Sequence, residues 1–319
     1  MAESVLRIEN LSVDSRVSGG QLSAVNDVSL SIGEGEIYAL VGESGCGKST
    51  VAHTVMRLSI DHNEILSGRI MFEGKNLLEL DEPSMETVRG RQIGIIFQNP
   101  LDSLNPVYRV GAQVEEALML DGMSRKQARQ RAIELFRDVQ IPSPETRIDA
   151  FPHELSGGMR QRVMIAMMLA RGPKLLIADE PTTALDVTVE AQVLSIMKDL
   201  CRKNDAAVLL ITHNFGVVAE AADRVGIMYA GELVEEGPVR EIFHHPQHPY
   251  AQALLSTLPN CRKTERRIAA IEGTVPRMLE KRQMCRFCNR CPYVQEICRT
   301  GVPEVKMVSD GHMVRCHMR

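Results

Sequence analysis

A glycine-rich stretch that ends in lysine and serine carries the clearest chemistry in the sequence. Residues 42–49 read GESGCGKS, the pattern G-x-x-x-x-G-K-S, between an apolar run at Ile37–Val41 and a helical pattern at Val51–Leu58. Backbone N–H groups in such a loop surround a phosphate, the lysine reaches the β and γ phosphates, and the serine hydroxyl binds Mg²⁺. The stretch predicts a nucleoside triphosphate site. Its expected contacts are Gly42, Ser44, Gly45, Cys46, Gly47, Lys48, Ser49 and Thr50.

Two neighbouring carboxylates follow a second apolar run. Asp179 and Glu180 come directly after Leu175–Ala178, which has the length and composition of a buried strand. One carboxylate at such a strand end can hold the Mg²⁺ shell, while its neighbour polarises an attacking water. The pair therefore predicts the hydrolytic end of the phosphate site.

A third motif is a serine followed by two glycines. Ser156, Gly157 and Gly158 open a helical pattern, with the serine at the N-cap position and the glycines leaving backbone N–H groups accessible. Such a helix start favours a negatively charged group, so the motif is a second candidate anion site.

The elements that must position these motifs predict an α/β fold. Apolar runs at 37–41, 93–97, 175–178 and 208–211, separated by helical stretches, are typical of a parallel core sheet. Alternating patterns at 5–13 and 28–32 predict an antiparallel edge sheet. Helical periodicity at 110–120 and 125–139 predicts a helical subdomain of about 106–165.

Composition narrows the class of protein. The chain has 319 residues, 44% hydrophobic and 24% charged, which is typical of a globular protein and excludes disorder. Its longest apolar stretch, residues 163–170, is far shorter than the roughly 20 residues that span a bilayer. The net charge of −4 gives no general attraction to nucleic acid. Because no secretory signal pattern is visible at the start, we expect a cytosolic chain with reduced cysteines.

Five of the eight cysteines lie near the C-terminal end. Their spacing is C-x2-C-x2-C-x6-C-x17-C, and His317 adjoins the last of them. Such a group of soft ligands indicates zinc or an iron–sulfur cluster, and the spacing alone does not choose between these and uncoordinated thiols. The change of pattern places a domain boundary near residue 257, giving an ATPase-like domain at 1–257 and a cysteine-rich extension at 258–319.

The phosphate loop, the LSGG motif at 155–158, the Asp179–Glu180 pair and Thr212–His213 occur in the order and spacing of ABC-family ATPase domains, which the chain resembles from about residue 5 to 255. The resemblance implies that two ATPase domains stack head to tail, so that Ser156, Gly157 and Gly158 of one close on the γ-phosphate of the other. It further implies that Glu180 is the general base, Asp179 the Mg²⁺-shell carboxylate and His213 a γ-phosphate contact. Gln98 is implied to be the catalytic glutamine of the Q-loop, residues 97–106, and a Mg²⁺ ligand together with Ser49, and 184–186 is implied to be the D-loop.

Two further segments are similar to the dipeptide, oligopeptide and nickel importers of that family. They are the segment FQNPLDSLNP at 97–106 and the segment PQHPYAQALL at 246–255. This branch implies an ATPase that powers peptide import from the cytoplasmic face of the membrane as a peripheral subunit. Its implied partners are two transmembrane permease subunits, a second and paralogous ATPase, and an extracytoplasmic solute-binding protein, with no nucleic acid. The alternatives are nickel or metallophore import, a nucleic-acid-associated ABC ATPase using the cysteine-rich tail, and a regulatory module with little turnover.

The tail itself looks like the extension of peptide-importer ATPases, some of which carry a [4Fe–4S] cluster. The resemblance selects Cys285, Cys291, Cys298 and Cys316 as ligands, with Cys288 as an alternative and Zn²⁺ as the alternative metal.

Two local features depart from simple expectation. Residues 14–26 contain no aromatic side chain to stack on adenine, which leaves Leu22 or Val25 for that contact. The HHPQH segment at 244–248 invites a metal interpretation, but the family uses this segment as a turn into a helix.

Overall fold

The structure of the chain is a computed structural model, and it describes residues 4–18, 20–58, 63–98, 103–182, 187–257, 273–276, 278–279 and 283–319. The chain divides into two compact units. The first comprises Met1–Val5, Ile32–Ile37 and Glu79–Ile211, and the second comprises Leu6–Ser31, Tyr38–Leu78 and Thr212–Arg319.

The described strands are β1 (Ser4–Val17), β2 (Gly20–Gly33), β3 (Ile37–Val41), β4 (Asn63–Phe72), β5 (Lys75–Asn76), β6 (Ile93–Ile96), β7 (Leu175–Asp179), β8 (Ala207–Thr212), β9 (Arg224–Tyr229), β10 (Glu232–Pro238), β11 (Val305–Ser309) and β12 (His312–Arg315). The described α-helices are α1 (Lys48–Val55), α2 (Glu82–Val88), α3 (Val110–Met119), α4 (Arg125–Asp138), α5 (Pro144–Arg147), α6 (Gly157–Leu169), α7 (Val187–Lys203), α8 (Phe215–Ala221), α9 (Val239–His244), α10 (Pro249–Ser256) and α11 (Glu296–Thr300). No helix in these described ranges is both long and apolar enough to cross a membrane.

The first unit is built on a buried parallel sheet. Strands β6, β7 and β8 run parallel, with Ile93 opposite Leu175 and Leu175 opposite Ala207. Every residue of these strands is buried, as expected for a sheet covered on both faces. Helix α4 begins with a capping box in which the Ser124 hydroxyl accepts from the Gln127 N–H and the Gln127 side chain accepts from the Ser124 N–H.

The second unit combines a parallel pair with antiparallel additions. Strand β3 pairs in parallel with β9, and β10, β12 and β11 then follow in antiparallel order. A separate four-stranded sheet has the order β2–β1–β4–β5. The C-terminal strands β11 and β12 therefore extend the sheet that contains the strand preceding the phosphate loop.

An aromatic cluster joins three distant parts of the second unit. The ring centroids of Tyr229 and Tyr250 lie 4.7 Å apart, and those of Tyr229 and Phe287 lie 5.0 Å apart. Both pairs meet edge to face, the favourable geometry for aromatic rings. The Tyr250 hydroxyl also accepts a hydrogen bond from the Glu43 N–H at 3.0 Å. The cluster thereby ties β9, α10 and the cysteine-rich segment to the phosphate loop.

The α/β prediction is confirmed, with local differences. The apolar runs form β3, β6, β7 and β8, and the two alternating patterns form β1 and β2, both longer than expected. Helix α1 begins at Lys48 rather than at Val51, because the loop glycines feed directly into its first turn. Elements α11, β11 and β12 were not predicted, because they are too short to show a clear period. The domain boundary near residue 257 stays a prediction.

A buried polar group fixes the start of α10 against β10 and β12. The Glu235 carboxylate accepts from the His248 N–H at 2.7 Å and lies 2.8 Å from His312 Nε2. The His248 ring nitrogen Nδ1 caps the helix by accepting from the Tyr250 N–H at 3.0 Å. Burial lowers the pKa of His248 to about 3, so this ring is neutral in the folded protein.

This shift predicts a loss of stability in mild acid. The unfolded chain takes up a proton on His248 below its ordinary pKa of 6.5, whereas the folded chain does not until about pH 3. The contribution of His248 to the free energy of unfolding is complete above pH 6.5 and decreases as the pH drops below that value. At pH 5 the free energy of unfolding is lower by about 2 kcal/mol. In His248→Asn, which keeps a capping side chain, the thermal midpoint should change less between pH 7 and 5 than in the wild type. Parallel melting curves of the two proteins across this range would contradict the assignment.

Candidate functional site

The phosphate loop, residues 42–49, encloses its own lysine. The Lys48 side chain is buried, and its Nζ donates to the carbonyl oxygens of Gly42 at 2.9 Å and of Glu43 at 3.1 Å. Its third neighbour is Cys46 Sγ at 3.7 Å. An ammonium group held on carbonyl oxygens at the first turn of α1 is positioned to exchange those contacts for phosphate oxygens.

Two loop glycines are required by close backbone approach. Gly42 has φ 154°, and a Cβ there would lie 2.3 Å from the Met228 carbonyl oxygen. Gly47 has φ 101°, and its Cβ would lie 2.3 Å from the Ala24 carbonyl oxygen. Both distances are far inside van der Waals contact, so only glycine fits at these two positions beside strands β2 and β9.

An ion pair connects the phosphate loop to the cysteine-rich extension. Arg290 Nη1 lies 2.9 Å from Glu43 Oε1, and Arg290 Nη2 lies 3.3 Å from Glu43 Oε2. The Arg290 side chain is only 6% exposed, and its guanidinium carbon lies 5.6 Å from the centre of the Tyr229 ring. The pair is bidentate and half-buried, because Arg290 is buried while the Glu43 side chain is 29% exposed, and this geometry makes it stronger than a surface salt bridge. Sequence reasoning missed it, because Glu43 occupies a variable position of the motif.

In the first unit, the structure brings Gln98 and Glu180 together. Gln98 Nε2 donates to Glu180 Oε2 at 2.8 Å. Glu180 has φ 45°, in the left-handed region that costs a non-glycine residue free energy, and its N–H donates to the Ile211 carbonyl at 2.9 Å. Asp179 is buried at the end of β7. The predicted base and the predicted Q-loop glutamine are therefore in direct contact.

The LSGG motif forms the start of α6, as predicted. Ser156 is the N-cap, and its hydroxyl accepts from the Met159 N–H at 3.3 Å. A Cβ at Gly158 would lie 2.5 Å from Val189 Cγ1, so the second glycine lets this helix start approach α7 closely.

His213 lies in the second unit, where it is exposed directly after β8. The next residue, Asn214, caps α8 with its side-chain oxygen, which accepts from the Gly216 N–H at 3.0 Å. The predicted D-loop, 184–186, lies outside the described residues, as does part of the Q-loop, 99–102. The roles assigned to the site residues stay predictions.

The arrangement of the five C-terminal cysteines does not support the predicted metal site. All five lie in the described part of the chain, and no group of three or more His, Cys, Asp or Glu side chains there is arranged to hold a metal ion. Burial raises the pKa of Cys285 to about 12, and the neighbouring Cys298 and Cys288 raise it further. The iron–sulfur cluster and its zinc alternative therefore lack support in this arrangement.

The metal interpretation of the HHPQH segment also has no support in the described ranges. His248 is buried as the N-cap of α10, and the rings of His244 and His245 are 6.3 Å apart. The turn expected here is present between α9 and α10.

The half-buried Glu43–Arg290 pair predicts a measurable contribution of the extension to stability. Glu43→Gln leaves the Arg290 charge without its counter-ion, and we expect it to lower the free energy of unfolding by about 2 kcal/mol, measured by urea denaturation. Glu9→Gln is the matched control, because the Arg7–Glu9 pair at 3.1 Å is more exposed and should cost less than about 1 kcal/mol. Equal losses in the two variants would show that the Glu43–Arg290 pair contributes no more than a surface pair.

Comparison with known proteins agrees with the order of these motifs. Residues 25–183 match the family described as ABC transporter. Residues 234–298 match the family described as the C-terminal region of oligopeptide/dipeptide transporters. The second match covers part of the extension, including the segment that carries Arg286 and Arg290.

Two relatives cover nearly the whole chain. The chain is 46% identical to the oligopeptide transport ATP-binding protein OppD of Bacillus subtilis, over 98% of this chain and 88% of the relative. It is 43% identical to the dipeptide transport ATP-binding protein DppD of Escherichia coli, over 98% of this chain and 96% of the relative.

Solved structures support the same fold. A dimeric ATP-binding cassette in a post-hydrolysis state, bound to ADP and phosphate, is similar with a TM-score of 0.66 and 28% identity, over 74% of this chain and 99% of that one. CbiO1 of Clostridium perfringens, part of an ABC transporter complex, is similar with a TM-score of 0.67 and 27% identity, over 76% of this chain and 92% of that one. The chain belongs to the ATP-binding subunits of oligopeptide/dipeptide ABC transporters.

Proposed function

We propose that this chain binds Mg-ATP at the phosphate loop and hydrolyses it to drive the import of di- and oligopeptides. The observation that carries the proposal is that a member of this family has both a formed phosphate loop and a Gln98–Glu180 contact. The loop supplies a buried ammonium group and a helix start for the phosphates. The Gln98–Glu180 contact supplies a carboxylate and an amide at a buried strand end.

Hydrolysis in this proposal uses Glu180 as the base. The carboxylate accepts a proton from water, the water oxygen bonds to the γ-phosphorus, and the bond to the β–γ bridging oxygen breaks to release ADP. Lys48 and His213 neutralise the charge on the γ-phosphate. The Gln98 amide donates to the Glu180 carboxylate at 2.8 Å and so orients it, which supports this assignment.

Mg²⁺ fits the residues assigned to it. Ser49, Gln98 and Asp179 offer hydroxyl, amide and carboxylate oxygens, the hard ligands that this ion prefers. These residues would hold the ion, which would neutralise phosphate charge when bound.

In this proposal the LSGG motif at the start of α6 does not contact the nucleotide bound to its own chain. Ser156, Gly157 and Gly158 contact the γ-phosphate held by a second ATPase subunit, for which we propose a paralogue. Two transmembrane permease subunits would anchor the pair at the cytoplasmic face of the membrane, and an extracytoplasmic binding protein would deliver the solute. The net charge of −4 gives no support to a nucleic-acid partner.

The five C-terminal cysteines take no part in this reaction scheme. The predicted [4Fe–4S] cluster on Cys285, Cys291, Cys298 and Cys316 has no metal-binding group among the described residues to support it. Iron and acid-labile sulfide analysis of protein purified without oxygen measures cluster content directly, and about four of each per chain would show that the cluster is present.

Glu180→Gln should separate ATP binding from hydrolysis. Loss of a general base lowers the rate by about 10²- to 10⁴-fold, so phosphate release by the assembled transporter should fall by that amount while ATP affinity stays within twofold. Glu116→Gln, an exposed substitution on α3, is the control and should leave the rate unchanged. A Glu180→Gln variant that releases phosphate at the wild-type rate would remove the assigned base.

The solute class is tested at the level of the transporter. We expect ATP turnover of the complex to rise when its binding protein is loaded with a short peptide and to stay at the basal rate with nickel or a nickel chelate. Stimulation by nickel alone would favour the metal-import alternative, which the OppD and DppD relatives do not support.

A further inference from the structure

The phosphate loop opens into a cavity that the phosphate chemistry does not use. The cavity has a volume of about 600 Å³ and lies within the second unit, with Ser44 and Gly45 of the loop at its edge. Its size is within the range of about 300–1,000 Å³ that holds small-molecule ligands. A nucleotide whose phosphates occupy the loop extends its sugar and base away from it, and this cavity is the adjoining space.

The cavity draws its apolar lining from two distant segments. Leu22 and Ala24 come from β2, and Val275, Pro276 and Met278 come from the C-terminal extension. Val25, the other side chain considered for adenine, is fully buried and does not line the cavity. Since residues 14–26 offer no aromatic ring, the available apolar contacts are aliphatic groups and a polarisable thioether, which packs well against an aromatic base.

The C-terminal part of the lining is fixed by buried hydrogen bonds. The Met278 carbonyl accepts from the Ser23 N–H at 2.8 Å, which attaches the segment to β2. Arg286 Nη2 donates to Ser23 Oγ at 3.0 Å, and Arg286 Nε lies 3.1 Å from Glu232 Oε1, with both side chains almost fully buried. Arg286 also donates to the Ala230 carbonyl. These contacts hold the segment in place before a ligand arrives.

The same network reaches the loop itself. The Gly231 N–H donates to the Cys46 carbonyl at 2.9 Å, and the neighbouring Ala230 carbonyl is the one that accepts from Arg286. The lining segment, the β9–β10 turn and the phosphate loop therefore form one connected structure.

We propose that Val275, Pro276 and Met278 form part of the adenine site, so that the C-terminal extension contributes directly to nucleotide binding. The proposal rests on the function proposed above, because it places the base of the ATP whose phosphates the loop holds. Arg286 is a positioning residue here, since it holds Ser23, whose N–H donates to the Met278 carbonyl.

The test compares two ligands that share phosphates and differ in the base. Binding of Mg-ATP and of Mg-tripolyphosphate to the full chain is measured by calorimetry for the wild type, Met278→Ala and Leu279→Ala. Leu279 is the matched control, because it is 46% exposed and does not line the cavity. We expect Met278→Ala to weaken ATP binding by about three- to tenfold through lost apolar contact and to leave tripolyphosphate binding unchanged.

Three results would overturn the proposal: unchanged ATP affinity in Met278→Ala, an equal loss for ATP and tripolyphosphate, or an equal loss in Leu279→Ala. If Met278→Ala does not fold, Val275→Ser, at a half-buried position, must show the same selective loss of ATP binding. Failure of the underlying function has a different signature, since the wild-type chain would then bind neither ATP nor tripolyphosphate.

Discussion

The close seating of the phosphate loop against two strands is the constraint on which the site depends. Carbonyl oxygens of Met228 and Ala24 occupy the space where side chains at Gly42 and Gly47 would begin. The loop can therefore follow only one path, and that path places Lys48 at the first turn of α1. Packing of the strands, rather than chemistry at the loop, explains why these two positions are glycine.

The charge of Lys48 is balanced locally. A buried ammonium group is costly unless it is hydrogen-bonded, and the carbonyl oxygens of Gly42 and Glu43 meet that need. The Glu43 side chain faces Arg290, so the residue that accepts from the lysine through its backbone is anchored by the extension through its carboxylate. A nucleotide that takes over the hydrogen bonds of Lys48 therefore acts at Glu43, the residue that Arg290 of the C-terminal extension contacts.

Much of the site could be predicted from sequence, because its motifs have fixed local geometry. The glycines with Lys48, the strand end at Asp179 and the helix start at Ser156 each specify their own backbone path. The contribution of the extension could not be predicted, since Arg290 meets Glu43 across 247 positions and no periodic pattern records such a contact. The cysteine spacing predicted a metal site because it shows which thiols are near one another in sequence. It does not show how the side chains pack, and Cys288 and Cys298 are buried in the interior.

Equilibrium binding of Mg-ATP to the full chain and to Lys48→Met shows whether the phosphate loop is the ATP site. The substitution keeps most of the buried apolar stem and removes the charge that reaches the phosphates. We expect saturable binding of one ATP per chain in the wild type and at least about a tenfold loss of affinity in the variant, which corresponds to roughly 1.4 kcal/mol. Equal affinity in the two proteins would contradict the assignment of the loop as the ATP site.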